Sequence, residues 1–333
     1  NPHWGTPRNP WDADDHRAPG GSSAGAGVSL WEGSALLAMG TDTAGSVRMP
    51  ASMTGTVGIK TTQGRWSLEG ITPLSSTLDT PGVLARSVAD AALAFSVIDP
   101  DVSPDPTSFL ADIETATVGD FRVGVCETFF ADCDPGVAEG VRAALAELEA
   151  AGARITQLEI PDLDEVDQIF RTGGLSAFEF ASFINDVLPD FLEDIDPMVG
   201  SRFDKMTALT AAEYHGRLRR MAALSQAAHA AIAGVHAVVG PTIPITPPKI
   251  ADVQDPKAYM KANLMAARNT TVANLLAMSA VTIPVALDAA GMPVGLQINC
   301  AGGDDARAVA IARAFEKVLG TARQRLGTPP LAS

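Results

Sequence analysis

The sequence is short of several things, and each shortage closes off a class of function. Basic residues are outnumbered: the 333-residue chain carries a formal net charge of −15. No Lys/Arg cluster offsets this, so binding to a nucleic-acid backbone is not expected. Cysteine occurs three times, at Cys126, Cys133 and Cys300. The odd count and wide spacing suggest neither a disulfide framework nor a CxxC metal site. The five histidines, His3, His16, His215, His229 and His236, show no paired-ligand spacing, so neither a structural metal nor a cofactor is expected. Aromatic residues make up only 5% and give no sign of a lipid-like tunnel. No apolar run approaches a membrane span, and no signal peptide opens the chain. A cytoplasmic protein without membrane contact is expected. Lysine, finally, is missing from everything before Lys60.

Apolar residues supply 46% of the chain, enough for a sizeable core. The length fits one large α/β domain or two smaller ones. The first 19 residues are rich in Pro, Asn and Asp and read as a loop from inside a folded domain. The natural N-terminus is therefore expected to lie further upstream.

The densest chemistry sits in residues 20–60, GGSSAGAGVSLWEGSALLAMGTDTAGSVRMPASMTGTVGIK. It holds two serine sites: Ser22-Ser23 after a glycine pair, and Ser46 after Ala44-Gly45. Small residues crowd both. A backbone that approaches a reacting oxygen closely tolerates no bulky side chain, so the pattern suits a serine nucleophile and an oxyanion hole. The competing reading is a Gly/Ser-rich surface loop, with Ser22 or Ser23 as an ordinary helix N-cap.

Around this stretch the spacing predicts a helix from Ser22 or Ser23 to about Gly33 and a buried strand at 34–39. A turn at 41–45 follows, with a short helix starting near Arg48. Ser46 would sit just past a strand's C-terminal end, where open α/β sheets place ligands. A helix is expected at 86–97. Residues 100–117 look like a boundary. A βαβ unit follows at 121–160, then mostly helix at 162–233, with a capping box from Thr210 to Glu213. A strand enters a Pro-rich turn at 236–248, and a long helix covers 257–278. A hairpin pairs 281–287 with 293–299 about Ala290-Gly291. An amphipathic helix at 304–319 is stopped by Gly320, and the tail 327–333 reads as frayed.

The segments GGSSAG, GTDTAGSVRMPAS and GTVGIKTT, in this order and with Ser22 and Ser46 24 residues apart, resemble the signature of the amidase signature family of serine hydrolases. That family includes fatty acid amide hydrolase, bacterial amidases and the glutaminase component of the transfer-RNA amidotransferase. LSSTLDTPGVLARSVAD at 74–90, TVANLLAMSAVTIPV and GMPVGLQI extend the resemblance to the C-terminal part, while 120–245 matches in outline. The resemblance implies an α/β amidase-signature fold: a central mixed, twisted β-sheet covered by helices on both faces. It also implies a single amidase domain over 1–333 that lacks its N-terminal segment. The signature core would be 18–98, a helical substrate-pocket region 120–245, and C-terminal core strands and helices 246–325.

Residue by residue, the resemblance implies a Ser–cis-Ser–Lys triad. Ser46 matches the nucleophile, and Ser22 the bridging serine that follows a cis peptide bond. Thr43, Ala44, Gly45 and Ser46 match the oxyanion turn. Ser23 matches a supporting hydroxyl, and Asp42 and Arg48 a bracing pair. Ala44 and Ala24 stand where the family has glycine, which is costly only if either backbone needs a positive φ. The family's catalytic Lys lies upstream of the Gly/Ser motif, where this chain has none. Lys60 matches a different lysine of the pattern and reads as structural or superficial. The implied activity is hydrolysis of a carboxylic amide to an acid and ammonia or amine through an acyl-enzyme on Ser46. The partner is a small-molecule amide, and a homodimer stays open. Two alternatives remain: the glutaminase component of a tRNA-dependent amidotransferase, or a non-catalytic family member. The first is disfavoured because the Asp expected three residues before Thr270 of the T-x-x-x-N element is Ala267. Phe129, Phe130, Phe170, Phe178, Tyr214 and Met221 are candidate pocket residues.

Overall fold

In the computed structural model of the protein, residues 4–172, 175–200 and 209–332 are described. Parts of the expected opening loop (1–3), of the helical stretch (173–174 and 201–208) and the final residue lie outside them. In chain order the elements begin α1 (Ala24–Trp31), β1 (Leu37–Asp42), α2 (Arg48–Thr54), β2 (Val57–Lys60), β3 (Thr80–Ala85) and α3 (Val88–Ile98). Then come α4 (Pro106–Thr115), β4 (Arg122–Val125), α5 (Val137–Ala150), β5 (Arg154–Gln157), α6 (Leu163–Arg171), α7 (Ser176–Val187), α8 (Pro197–Gly200) and α9 (Ala211–Ile232). The C-terminal part supplies β6 (Ala237–Pro241), α10 (Pro256–Leu275), β7 (Ser279–Leu287), β8 (Pro293–Cys300), α11 (Asp305–Leu319) and α12 (Ala322–Leu326).

The strands form one 8-stranded mixed sheet in the order β1-β3-β2-β7-β8-β6-β4-β5. Strands β4, β5 and β6 are parallel neighbours; the other pairs are antiparallel. The β7–β8 hairpin lies in the centre, and its residues are buried at nearly every position because both faces are covered. Side chains alternate across the sheet. On β3, Leu84 packs with Leu30, Val47 and Ala51 from the α1–α2 side. Its neighbours Val83 and Ala85 join Phe95, Val141 and Phe315 on the opposite side. This is the mixed α/β architecture that the motifs imply.

Local signals explain several helix starts. Ser87 caps α3 by accepting from the Asp90 N–H, Thr210 caps α9 within its capping box, and Asp255 caps α10. Three expectations need correction. The strand near 34–39 is not buried: it runs Leu37–Asp42 at the sheet edge, with Leu36, Leu37 and Met39 exposed. It pairs with β3 on one side and with no strand on the other among the described residues. The supposed boundary at 100–117 holds α4, started by Asp105 accepting from the Ser108 N–H and by Pro106 at its first turn. The tail is not frayed: α12 precedes it, Pro329 is buried, and the Leu331 N–H donates to the Pro10 carbonyl. Among the described residues no helix is long and apolar enough to cross a membrane.

Candidate active site

The turn between β1 and α2 is built around Asp42. Its carboxylate accepts the Gly45 N–H at 2.8 Å on one oxygen, and the Val47 and Arg48 N–H groups at 3.2 and 3.3 Å on the other. Arg48, wholly buried like Asp42, donates from Nε and Nη2 to the same carboxylate at 3.0 and 2.9 Å. Its remaining donors reach the Thr270 carbonyl (2.8 Å), Gln297 Oε1 (2.7 Å) and Asn274 Oδ1 (2.6 Å). All five guanidinium N–H bonds are thus satisfied, which is what a buried arginine requires. Asn274 closes the cage by donating to Asp42 Oδ1 at 2.9 Å. Burial raises the Asp42 pKa, but the Arg48 charge and hydrogen bonds outweigh it and hold the carboxyl down to about 2. The bracing pair expected from the sequence is therefore present.

Two further hydroxyls fix the turn from outside. Thr270 Oγ1 donates to the Ala44 carbonyl at 2.7 Å. Thr43 Oγ1 donates to Asp79 Oδ1 at 2.5 Å. Gly45 has φ +124°, and a Cβ there would meet Thr270 Oγ1 at 2.2 Å, so only glycine fits. Ala44 and Ala24 are not among the non-glycine residues with positive φ, so the two departures from the family pattern cost no backbone strain.

The Ser22 loop comes to the same place. The Ser23 N–H donates to the Ser46 carbonyl at 3.2 Å, and Ser23 Oγ to the Thr41 carbonyl at 3.5 Å. The Gly21–Ser22 peptide is cis. Helix α1 has Ser23 at its N-cap position, but no side-chain capping bond is made there, and Ser22 precedes it. The N-cap reading thus loses its physical basis for both hydroxyls. Ser22 is exposed and Ser46 half-buried.

The four expected oxyanion donors are not equivalent. The Gly45 N–H is already engaged by Asp42. The N–H groups of Thr43, Ala44 and Ser46 have no hydrogen-bond acceptor among the described residues.

Lys60 is fully buried, not superficial, and donates to the Thr61 and Met278 carbonyls at 2.7 and 2.8 Å. Burial, reinforced by the Arg48 charge, pushes its pKa down to about 7 against the pull of Asp42 and Asp305. Its amine faces two carbonyls rather than a serine. Of the candidate pocket residues, Phe129 and Met221 are core residues, and Phe130 is buried with Arg142 4.3 Å above its ring. Phe178 stacks on Tyr214 at 5.0 Å. Phe170 alone of the six joins the small cluster of Met49, Met53, Ile243, Ala266 and Ala267 beside α2. A shallow depression of about 340 Å³ between α6 and α9, lined by Glu165, Glu213, Arg217 and Arg220 among others, shares no residue with this site. No cluster of His, Cys, Asp or Glu fit to hold a metal occurs among the described residues.

Sequence reasoning missed Asp79, Thr270 and Gln297 as parts of the frame. The available signal was chemical: Gln297 lies in a strand whose every residue is buried, and a polar group there must find a partner.

A family model described as Amidase matches residues 1–309. The 2-amino-5-chloromuconic acid deaminase of Comamonas testosteroni is 47% identical over 335 residues, covering 99% of this chain and 71% of that protein. The glutamyl-tRNA(Gln) amidotransferase of Thermotoga maritima has a first component that is 29% identical over 339 residues, covering 93% of this chain and 70% of that one. A crystal structure of the same component matches with a TM-score of 0.80 at 30% identity, over 98% of this chain and 71% of the other. A structure of 6-aminohexanoate cyclic dimer hydrolase with substrate shares the fold, with a TM-score of 0.84 at 24% identity over 100% and 73% of the two chains. With the serine loops, the braced turn and these matches in hand, the chain belongs to the amidase signature family and is an amidase-family hydrolase acting on carbon–nitrogen bonds.

Proposed function

We propose that the protein hydrolyses a carboxylic amide of a small molecule through an acyl-enzyme on Ser46. The observation that carries this reading is the Asp42-braced turn. It leaves the N–H groups of Thr43, Ala44 and Ser46 unengaged in the turn that carries the Ser46 hydroxyl, with the Ser22 loop bonded to the same residue. Ser46 Oγ attacks the amide carbon and the carbonyl electrons move onto oxygen, where the free N–H groups stabilise the charge. Each such donor is worth on the order of 3 kcal/mol. The Ser46 proton passes through Ser22 to a base and returns to the leaving nitrogen as the C–N bond breaks. Water then cleaves the ester. The base that the family pattern implies is a Lys upstream of Gly20, which is not among these 333 residues, and Lys60 is committed to two carbonyls.

The 47% identity to a 2-amino-5-chloromuconic acid deaminase favours a second reading: release of ammonia from an amino-substituted unsaturated acid. The glutaminase reading is weaker. Ala267 is buried in the apolar cluster beside α2, so a glutamine ammonium would lack a charge partner there. An unpaired polar group of this kind costs about 1–3 kcal/mol or more. No nucleic-acid or membrane partner is proposed, and a homodimer stays open. Ammonia release from a panel of amides, glutamine and a 2-aminomuconic acid, combined with mass spectrometry of a quenched reaction, tests these readings. An acyl adduct on Ser46 with an amide supports the first. Turnover of the amino acid alone without an adduct supports the second. Glutamine turnover that needs an added partner protein supports the third, and silence across the panel fits a non-catalytic member.

A further inference from the structure

One half-buried polar assembly has no part in the chemistry above. Glu179, on α7, accepts at Oε2 from Ser75 Oγ (2.6 Å), Ser76 Oγ (3.3 Å) and the Thr77 N–H (3.0 Å). Its Oε1 accepts from the Tyr214 hydroxyl of α9 at 2.6 Å. Burial opposes ionisation, but the hydrogen bonds from Ser75, Thr77 and Tyr214 outweigh it and hold the carboxyl below the usual range. The loop 74–79 is also closed on itself and tied to the turn by its own Asp79. Asp79 Oδ2 accepts the Leu74 and Ser75 N–H groups at 2.8 and 2.9 Å, while Oδ1 holds Thr43. Ser75 is wholly buried between the two carboxylates, and its hydroxyl also accepts the Leu78 N–H.

We infer that Glu179 is a positioning residue for the oxyanion turn, coupling helices α7 and α9 to Thr43 through the loop 74–79 and Asp79. Three backbone N–H groups and two hydroxyls of this short loop are spent on two carboxylates, Glu179 of α7 and the loop's own Asp79. The loop is thus a compact link between Glu179 and, through Asp79, Thr43. Helix α7 is itself lightly anchored, burying only Ala177 and Ile184, and Glu179 ties it to the loop beside the signature core. A displacement of the order of 1 Å in such a support can cost about a hundredfold in rate.

The inference rests on Ser46 being the nucleophile, and the test separates the two. The rate at which a fluorophosphonate labels Ser46 is measured in the intact protein, with the labelled residue identified by mass spectrometry, alongside kcat and KM for an amide that turns over. E179Q keeps shape but loses one acceptor oxygen. It is expected to slow labelling about tenfold or more, with the loss in kcat and KM within about twofold. Y214F, which keeps the stack on Phe178, is expected to lose about threefold. D79N combined with E179Q should be no slower than D79N alone, because both act through one loop. Should E179Q fail to fold, Y214F and S75A carry the same test. Slowed labelling in a folded variant supports the coupling. Labelling at the wild-type rate, a change confined to KM, or additive losses overturn it. Wild-type protein left unlabelled at Ser46 overturns the nucleophile assignment, and the inference with it.

Discussion

Two arginine–carboxylate pairs, one in each half of the molecule, show how differently its regions are built. Arg48 and Asp42 in the β1–α2 turn are both 0% exposed and share a cage of Thr270, Asn274 and Gln297. Arg220 and Glu165, between α9 and α6, are as close, with Nη2 to Oε2 at 2.5 Å, yet their side chains are 45% and 37% exposed. Distance alone would rank the second pair at least as high. Burial reverses the ranking, because removing one partner of a desolvated pair strands a charge without water, whereas the exposed pair trades one solvated arrangement for another. The signature core is thus a rigid frame whose polar groups have partners from four separate segments. The α6–α9 layer is a lightly packed cover: 22-residue α9 buries only Met221, Leu224, Ala228 and Ile232.

The contrast can be broken most sharply at its centre. Ser46→Ala should abolish turnover in an ammonia-release assay while leaving the melting transition in place; surviving activity would remove the nucleophile from the frame. Ser22→Ala should lower kcat by about two to four orders of magnitude, the range of general acid–base contributions. If steady-state kinetics show a change in KM alone, Ser22 has no part in proton transfer. Arg48→Met should cost about 3–5 kcal/mol in urea unfolding, since Asp42 is left charged and buried. Asp42 itself sets an acid limit. Its pKa is lowered from 3.8 to about 2 on folding, so its stabilisation is present above 3.8 and disappears as pH falls through 2.

Lys60 gives an effect of the same sign in a different pH window. Its pKa drops from 10.5 to about 7 on folding, so between these values the unfolded chain holds a proton that the folded chain has released. Stability should therefore rise with pH across this window, and Lys60→Met should flatten the rise; urea midpoints at about pH 7 and about pH 9.5 for both proteins measure it. At the far end of the scale, Arg220→Ala should leave the unfolding midpoint within experimental scatter. A large shift there would mean that the helical layer is as tightly built as the turn.

Much of this was readable one segment at a time. Periodicity and capping residues such as Ser87, Thr210 and Asp255 announce their helices locally, and the family resemblance carried by the Ser22 and Ser46 segments points to the candidate site. Reading failed where a property depends on what lies across space. Residues 34–39 look like a buried strand because they are apolar, but burial depends on neighbours, and β1 has one only on its β3 side among the described residues. Phe129, Phe130 and Met221 look like pocket residues because they are aromatic or soft, and the same character packs them into the core.

By itself, then, the sequence determined the elements, the glycine that the turn demands and the identities of the candidate reactive serines. The elements and the glycine follow from backbone sterics and nearest neighbours, the serines from the family resemblance. Only the tertiary structure decided which N–H groups stay free at the turn, that Lys60 is buried against two carbonyls, and that Asp79, Thr270, Asn274 and Gln297 hold the frame. The bonds from Asp79, Thr270, Asn274 and Gln297 to the turn join residues 36 to 249 positions apart, and desolvation, which gives them their strength, is a property of the assembled core rather than of any segment.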